Sequence, residues 1–376
     1  MRIVLAPDKF KGSLSAADVC RAMAAGVQIA RPGAFVESIP MADGGEGTVD
    51  ALVAATRGKF VTRRVTGPLP EMKVDATFGM LGDNTNTAVI EMAAASGLAL
   101  LRPEQRDPLA TTTFGTGELI RIAIEEFGAR KIILGIGGSA TIDAGIGAAQ
   151  ACGLPVILEG GEPVSPTEPL CGRDVERVVL IKHGRGDRLG GVEIVVASDV
   201  SNPLYGPNGA ARIYGPQKGA TSDVIEQLDA VLRQLAQRTN NEEFAKMRGA
   251  GAAGGLGFGM MAFFGAMLRS GAQIVIDATK LRDRLVGADL CITGEGSLDN
   301  QSLSGKTVIA VARLCAELGV KCAAIAGRID ATAGDLRRES LLAYSTSGGG
   351  VSIDDSIARA SAHIERVAEQ AVHEML

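Results

Sequence analysis

Tryptophan is absent, and aromatic residues make up only 3% of this 376-residue chain. Stacking against a flat ligand such as a nucleobase must therefore rest on few rings or on aliphatic walls. No apolar run approaches the roughly 20 residues that cross a bilayer. The opening M-R-I-V-L-A-P-D-K-F is interrupted by Pro7, Asp8 and Lys9 before it can act as a secretory h-region. The six cysteines (Cys20, Cys152, Cys171, Cys291, Cys315, Cys322) form no C-x-x-C pair and follow no zinc spacing. That predicts reduced, small apolar residues in a cytoplasmic protein. Net charge is −5 with dispersed basic residues, so neither a nucleic-acid footprint nor a membrane partner is expected. Of three histidines, His183 lies in a charged segment, and His363 and His373 lie in the C-terminal helical pattern. Without H-E-x-x-H or G-x-S-x-G, acid–base work falls to carboxylates.

What the chain has in abundance is glycine, 49 residues clustered directly after apolar, strand-like runs. That placement points to phosphate-holding loops, with tight strand–helix packing as the plainer alternative. The length predicts two or three domains. R-I-V-L-A (2–6) predicts a buried strand, after which Ser15 caps a helix with Val19, Cys20, Met23 and Val27 at helical spacing. F-V-E-S-I (35–39) and Thr48–Thr56 predict a second strand and helix, the opening of a parallel sheet. Segments 59–65 and 73–80 alternate around G-P-L-P and predict an antiparallel ribbon. Strands are expected at 87–92, 132–136, 177–181 and 193–197, and helices near 117–127, 143–152, 221–237 and 255–269. From Asp289 the βα alternation returns, and an amphipathic helix over 354–375 closes the chain. The fold class read from this pattern is α/β. A discontinuous Rossmann- or flavodoxin-like parallel-sheet domain (1–65 and 286–376) is interrupted by an inserted mixed α/β domain (66–285). Three consecutive domains are the alternative.

In a parallel sheet, ligands bind beyond the carboxyl ends of the strands. Three segments leave such ends: P-D-K-F-K-G-S (7–13), M-A-D-G-G-E-G-T (41–48) and T-G-E-G-S-L-D-N-Q-S-L-S-G-K-T (293–307). They predict one edge carrying Asp8, Lys9, Lys11, Asp43, Glu46, Glu295, Asp299 and Lys306. Carboxylates mixed with lysines and glycines suit a Mg²⁺–phosphate site, and capped polar loops are the alternative. S-G-K-T (304–307) is no Walker A loop, because Asn300 stands where that motif needs glycine. Lys306 opens a helix, where it either meets phosphate or faces solvent. In the inserted domain, Gly137, Gly138 and Ser139 follow K-I-I-L-G-I, where they can approach a nucleotide's phosphates or serve close helix packing. Asp199 follows V-E-I-V-V-A-S and enters a loop of turn residues. There it can accept a hydroxyl proton, hold Mg²⁺ or simply form an Asx-turn.

Taken in order, D-K-F-K-G-S, M-A-D-G-G-E-G-T, G-G-S-A-T-I-D-A-G-I-G, S-D-V-S-N-P-L, G-P-Q-K-G-A, G-A-A-G-G-L-G and I-T-G-E-G-S-L-D resemble the signatures of bacterial class I glycerate kinases, over essentially the whole chain. The resemblance implies ATP and D-glycerate as substrates, Mg²⁺, 2-phosphoglycerate as product and a two-domain structure with an insertion. The expected mechanism is in-line phosphoryl transfer in a closing cleft. Asp199 would be base or metal ligand, with Glu295 and Asp299 as further metal candidates. Lys9 and Lys306 would offset charge in the chemistry, while Asp8, Lys11, Asp43 and Glu46 would bind substrate. Gly137, Gly138 and Ser139 would line the nucleotide. A kinase for another small hydroxy acid and a non-catalytic nucleotide-binding regulator are the alternatives, and self-association is left open.

Overall fold

The computed structural model describes residues 1–161, 164–165, 167–181, 189, 191–299, 306–330, 332–347 and 357–376. In chain order its strands are β1 (Arg2–Pro7), β2 (Phe35–Ser38), β3 (Lys59–Thr66), β4 (Lys73–Met80), β5 (Thr87–Glu91), β6 (Lys131–Gly135), β7 (Val156–Leu158), β8 (Val178–Ile181), β9 (Glu193–Ala197), β10 (Met267–Arg269), β11 (Leu290–Leu298), β12 (Lys321–Ile329) and β13 (Leu342–Ser345). Two compact units form. One comprises Met1–Asp43, Asp50–Thr56 and Ser270–Leu376, and the other comprises Gly44–Val49 and Arg57–Arg269.

In the first unit the strands lie in the order β13-β12-β11-β1-β2, and every neighbouring pair is parallel. Numbered within the unit, this is the doubly wound order 2-1-3-4-5. Parallel strands covered on both faces must be apolar throughout, and Ile3, Val4, Leu5 and Ala6 are completely buried. Helix Ala16–Ala30 starts where the Asp18 N–H donates to Ser15 Oγ at 3.2 Å, a cap worth about 1 kcal/mol. It packs on helix Ala360–Met375 through Gly26, where a Cβ would lie only 2.1 Å from the Glu365 carbonyl oxygen. The expected start of that C-terminal helix at 354 lies outside the described residues.

The second unit holds a six-stranded sheet, β10-β9-β6-β5-β4-β3, and a separate β7–β8 ribbon. β5, β6, β9 and β10 run parallel, whereas β4 is antiparallel to both of its neighbours. Because β3 pairs with β4 along its whole length, residues 57–65 pack with this unit rather than with the first. Residues 270–285 pack with the first unit, where helix Gly271–Ala278 meets helix Thr307–Leu318. The helix expected over 255–269 spans Ala252–Phe264 instead. Gly265 ends it in the left-handed region, so Met267–Arg269 can pair with β9. Among the described residues, no helix is long and apolar enough to cross a membrane.

All six cysteines are buried. Cys291 of β11 stands opposite Cys322 of β12, and with Cys315 of helix Thr307–Leu318 their sulfurs lie within 4.8 Å of one another. A thiol reagent such as DTNB should therefore titrate few of the six in native protein and all six in denaturant. Fast native reaction of Cys291, Cys315 and Cys322 would contradict this burial.

Candidate active site

The first unit's strand order reverses between β1 and β11, the switch point where doubly wound sheets bind ligands. The Asp8 N–H continues the ladder there, donating to the Gly294 carbonyl at 2.8 Å. The Asp8 side chain is 6% exposed. Its Oδ1 accepts the Lys9 N–H at 2.7 Å, and its Oδ2 accepts the Thr307 hydroxyl at 3.0 Å. Burial pushes this carboxyl up to about 6; Lys9 opposes the shift and Asp43 adds to it. A carboxyl poised so near neutrality can take up or release a proton at physiological pH.

Around Asp8, Lys9 and Asp43 are half-buried and Lys11 is exposed. Phe10 and Leu14 exchange two backbone hydrogen bonds of 2.9 and 3.0 Å, folding the segment into a tight turn. That turn approaches β11 closely, since a Cβ on Gly296 would lie 3.2 Å from the Lys11 nitrogen. Glu295 stands on β11, Asp299 directly follows it, and Lys306 takes the N-cap position of helix Thr307–Leu318. Seven of the eight predicted edge residues thus belong to one unit. Glu46 is the exception. Segment Gly44–Val49 packs with the second unit, where the Val49 N–H donates to Glu91 Oε1 at 2.9 Å. Residues 300–305 of the acidic loop, and His183, lie outside the described residues.

In the second unit, β5, β6 and β9 end together at Glu91, Gly135 and Ala197. Beyond β6, Gly137 and Gly138 are exposed while Ser139 is buried. Asp199 is exposed two residues past β9, on the neighbouring strand of the same edge. The anticipated metal candidates therefore divide, with Asp199 in this unit and Glu295 and Asp299 in the first. Among the described residues no three carboxylates converge on one point; the one group of three metal-ligating side chains is the cysteine trio. Mg²⁺ keeps most of its waters and needs only one or two carboxylates beside substrate phosphates, a chemistry that Glu295 and Asp299 of the first unit and Asp199 of the second each carry.

Two charged residues of this edge went unassigned in the sequence. Lys218 is only 2% exposed, and its Nζ donates to Ser139 Oγ at 2.6 Å and to the Thr141 carbonyl at 2.7 Å. Burial lowers its ammonium to about 7, opposed by the charge of Asp143. Asp143 is fully buried and accepts the Thr113 N–H and hydroxyl at 2.8 and 2.7 Å and the Gly145 N–H at 3.0 Å. Burial pushes its carboxyl up, against those donors. Both residues lie inside signature segments, G-P-Q-K-G-A and G-G-S-A-T-I-D-A-G-I-G, and that was the one signal available.

Residues 3–376 match the model of the glycerate kinase family. Glycerate kinase of Bacillus subtilis (strain 168) is 43% identical over 373 residues, covering 98% of this chain and 96% of the relative. Glycerate kinase of Haemophilus influenzae is 47% identical over 331 residues, 87% of this chain and 86% of the relative. Glycerate 2-kinase of Escherichia coli K12 is 46% identical over 333 residues, 88% of this chain and 86% of the relative. A solved structure from Salmonella typhimurium LT2, provisionally named glycerate kinase 2, superposes with a TM-score of 0.84. It is 40% identical and covers 100% of this chain and 98% of its own. With the family model matched from residue 3 to 376 and relatives 43–47% identical over most of their own length, the chain belongs to the glycerate kinase family.

Proposed function

We propose that this protein transfers the γ-phosphoryl group of ATP to the 2-hydroxyl of D-glycerate, giving 2-phosphoglycerate and ADP in the cytoplasm. The observation that carries the reading is the family match over residues 3–376, joined by the 46% identity to a relative named glycerate 2-kinase. In the transfer, the glycerate O2–P bond forms as the bond from the γ-phosphorus to the β,γ-bridging oxygen breaks. The hydroxyl proton passes to a carboxylate, for which Asp199 is the leading candidate. Lys9 and Lys306 offset charge on the transferring group. Asp8, Lys11, Asp43 and Glu46 bind and orient glycerate, and Gly137, Gly138 and Ser139 line the nucleotide. Mg²⁺, when bound, neutralises phosphate charge, and Glu295 and Asp299, with Asp199 where it is not the base, are the residues that would hold it directly or through water.

Phosphorus NMR of the product against both phosphoglycerate standards tests the regiochemistry; 3-phosphoglycerate as main product would overturn it. A coupled ADP-release assay over a panel of small hydroxy acids tests the substrate. Faster turnover of another hydroxy acid would replace glycerate, and no turnover of any would leave a nucleotide-binding regulator.

A further inference from the structure

We propose that loop 136–141 is a binding site for a substrate oxyanion and that Lys218, enclosed behind it, is the positioning residue that supplies its charge. The inference rests on the kinase reading, which brings both a polyphosphate and a carboxylate to the protein.

The loop is fixed on both sides. The Leu98 N–H donates to the Gly138 carbonyl at 2.8 Å, and the Ala140 N–H donates to the Ser96 carbonyl at 2.9 Å. Behind it, Gly254 presses so close that a Cβ there would lie 1.8 Å from the Thr141 carbonyl oxygen. Neither the Gly137 nor the Gly138 N–H has a hydrogen-bond acceptor among the described residues, and both glycines are exposed. Successive free N–H groups on a rigid turn make an anion-holding concavity.

Lys218 supplies the positive charge. Two of its three ammonium protons are spent on Ser139 Oγ and the Thr141 carbonyl. Because Ser139 Oγ accepts from the ammonium, its own hydroxyl proton is left to donate to a ligand. Enclosing a cation is costly, and an apolar side chain of similar volume is often as stable or more so. Packing alone therefore gives no reason for a lysine here. Its counter-charge, Asp143, is already committed to Thr113 and Gly145. Thr141 Oγ1, on the same loop, is buried without a hydrogen-bond partner among the described residues, which leaves the polar cluster incomplete without a ligand.

The groups around the ammonium are Asp143 and the Tyr214 ring at 5.9 Å; Arg106 packs its backbone carbonyl against Gly219, the next residue along the chain. With the ammonium lowered to about 7, the charge is complete in acid and is lost as pH rises through neutrality. Affinity for the oxyanion should fall over that same window.

The test compares wild type with Lys218→Met, Lys218→Arg and Ser139→Ala. Both KM values and the pH dependence of kcat/KM are measured, with separate calorimetric titrations by an ATP analogue and by glycerate. Lys218→Met should raise one KM about tenfold with an unchanged or higher Tm and abolish the neutral-to-alkaline decline for that substrate. Lys218→Arg should restore part of the affinity and move the decline to higher pH. A raised KM for ATP assigns the oxyanion to a phosphate, and a raised KM for glycerate assigns it to the carboxylate. Wild-type affinities for both ligands in Lys218→Met, or losses of kcat and Tm with both KM values unchanged, would overturn the proposal. Should Lys218→Met fail to fold, Ser139→Ala decides in the same way. Absence of wild-type turnover would overturn the kinase reading alone, because the titrations read the site without the reaction.

Discussion

Asp8→Asn should stabilise the first unit at neutral pH while lowering kcat/KM for glycerate by roughly 10- to 100-fold, the worth of one hydrogen bond to a charged group. The two effects share one cause, a carboxylate held where water cannot solvate it. Its pKa rises from 3.8 to about 6, chiefly through burial. A rise of that size corresponds to about 3 kcal/mol as an upper figure. Between those two pKa values the folded chain binds more protons than the unfolded one, so the shift removes stability as pH rises through that window. At pH 7 the whole cost is present, and below about pH 4, where both states are protonated, it vanishes. Asparagine removes the charge, and Thr307 can turn its hydroxyl to accept from the new amide. Calorimetric scans at pH 4 and pH 7, beside glycerate kinetics, provide the check. Lower stability at pH 7 would refute the desolvation argument, and unaltered kcat/KM would remove Asp8 from the substrate.

For Asp199→Asn we expect turnover to fall by roughly 100-fold or more, the range of a positioned acid–base group, with little change in Tm because the residue is exposed. Asparagine serves an Asx-turn about as well as aspartate does, so a purely structural Asp199 would tolerate the exchange. The substitution keeps the shape and removes charge and basicity. Near-normal turnover in the folded variant would move the role to Asp43, Glu295 or Asp299. Recovery of turnover with added Mg²⁺ would assign Asp199 to metal binding and not to proton transfer.

The parallel sheet was legible because β1, β11 and β12 carry buried apolar runs and helical segments alternate with them. Ser15 and the spacing of Val19, Met23 and Val27 fix the first helix from sequence alone. The β3–β4 ribbon was legible from its alternation and its turn. Short elements were not: a three-residue strand such as β10 has no period to detect, and its neighbour Ala252–Phe264 is buried all round and shows no stripe. Glu46 was read together with Asp43 because they are three residues apart, yet the chain passes from one unit to the other between them. Lys218 was invisible for a different reason. A lysine among glycine, proline and glutamine reads as a solvated turn, and only tertiary packing encloses it. The cysteine trio depends on sheet register, which sets Cys291 beside Cys322 and which no spacing encodes.

An interior strand of the first sheet, β1, also imposes an order on biosynthesis. β1 is hydrogen-bonded to β2 on one side and to β11 on the other, and the Thr293 hydroxyl that donates to the Ala6 carbonyl comes from 287 positions further along. At about 5–20 residues per second on the ribosome, β1 waits roughly 15–60 s for that neighbour. Throughout the wait it keeps one unpaired edge of buried-type side chains. The whole of Arg57–Arg269 is translated within that interval, so the inserted unit can complete its own sheet while the first is still half written.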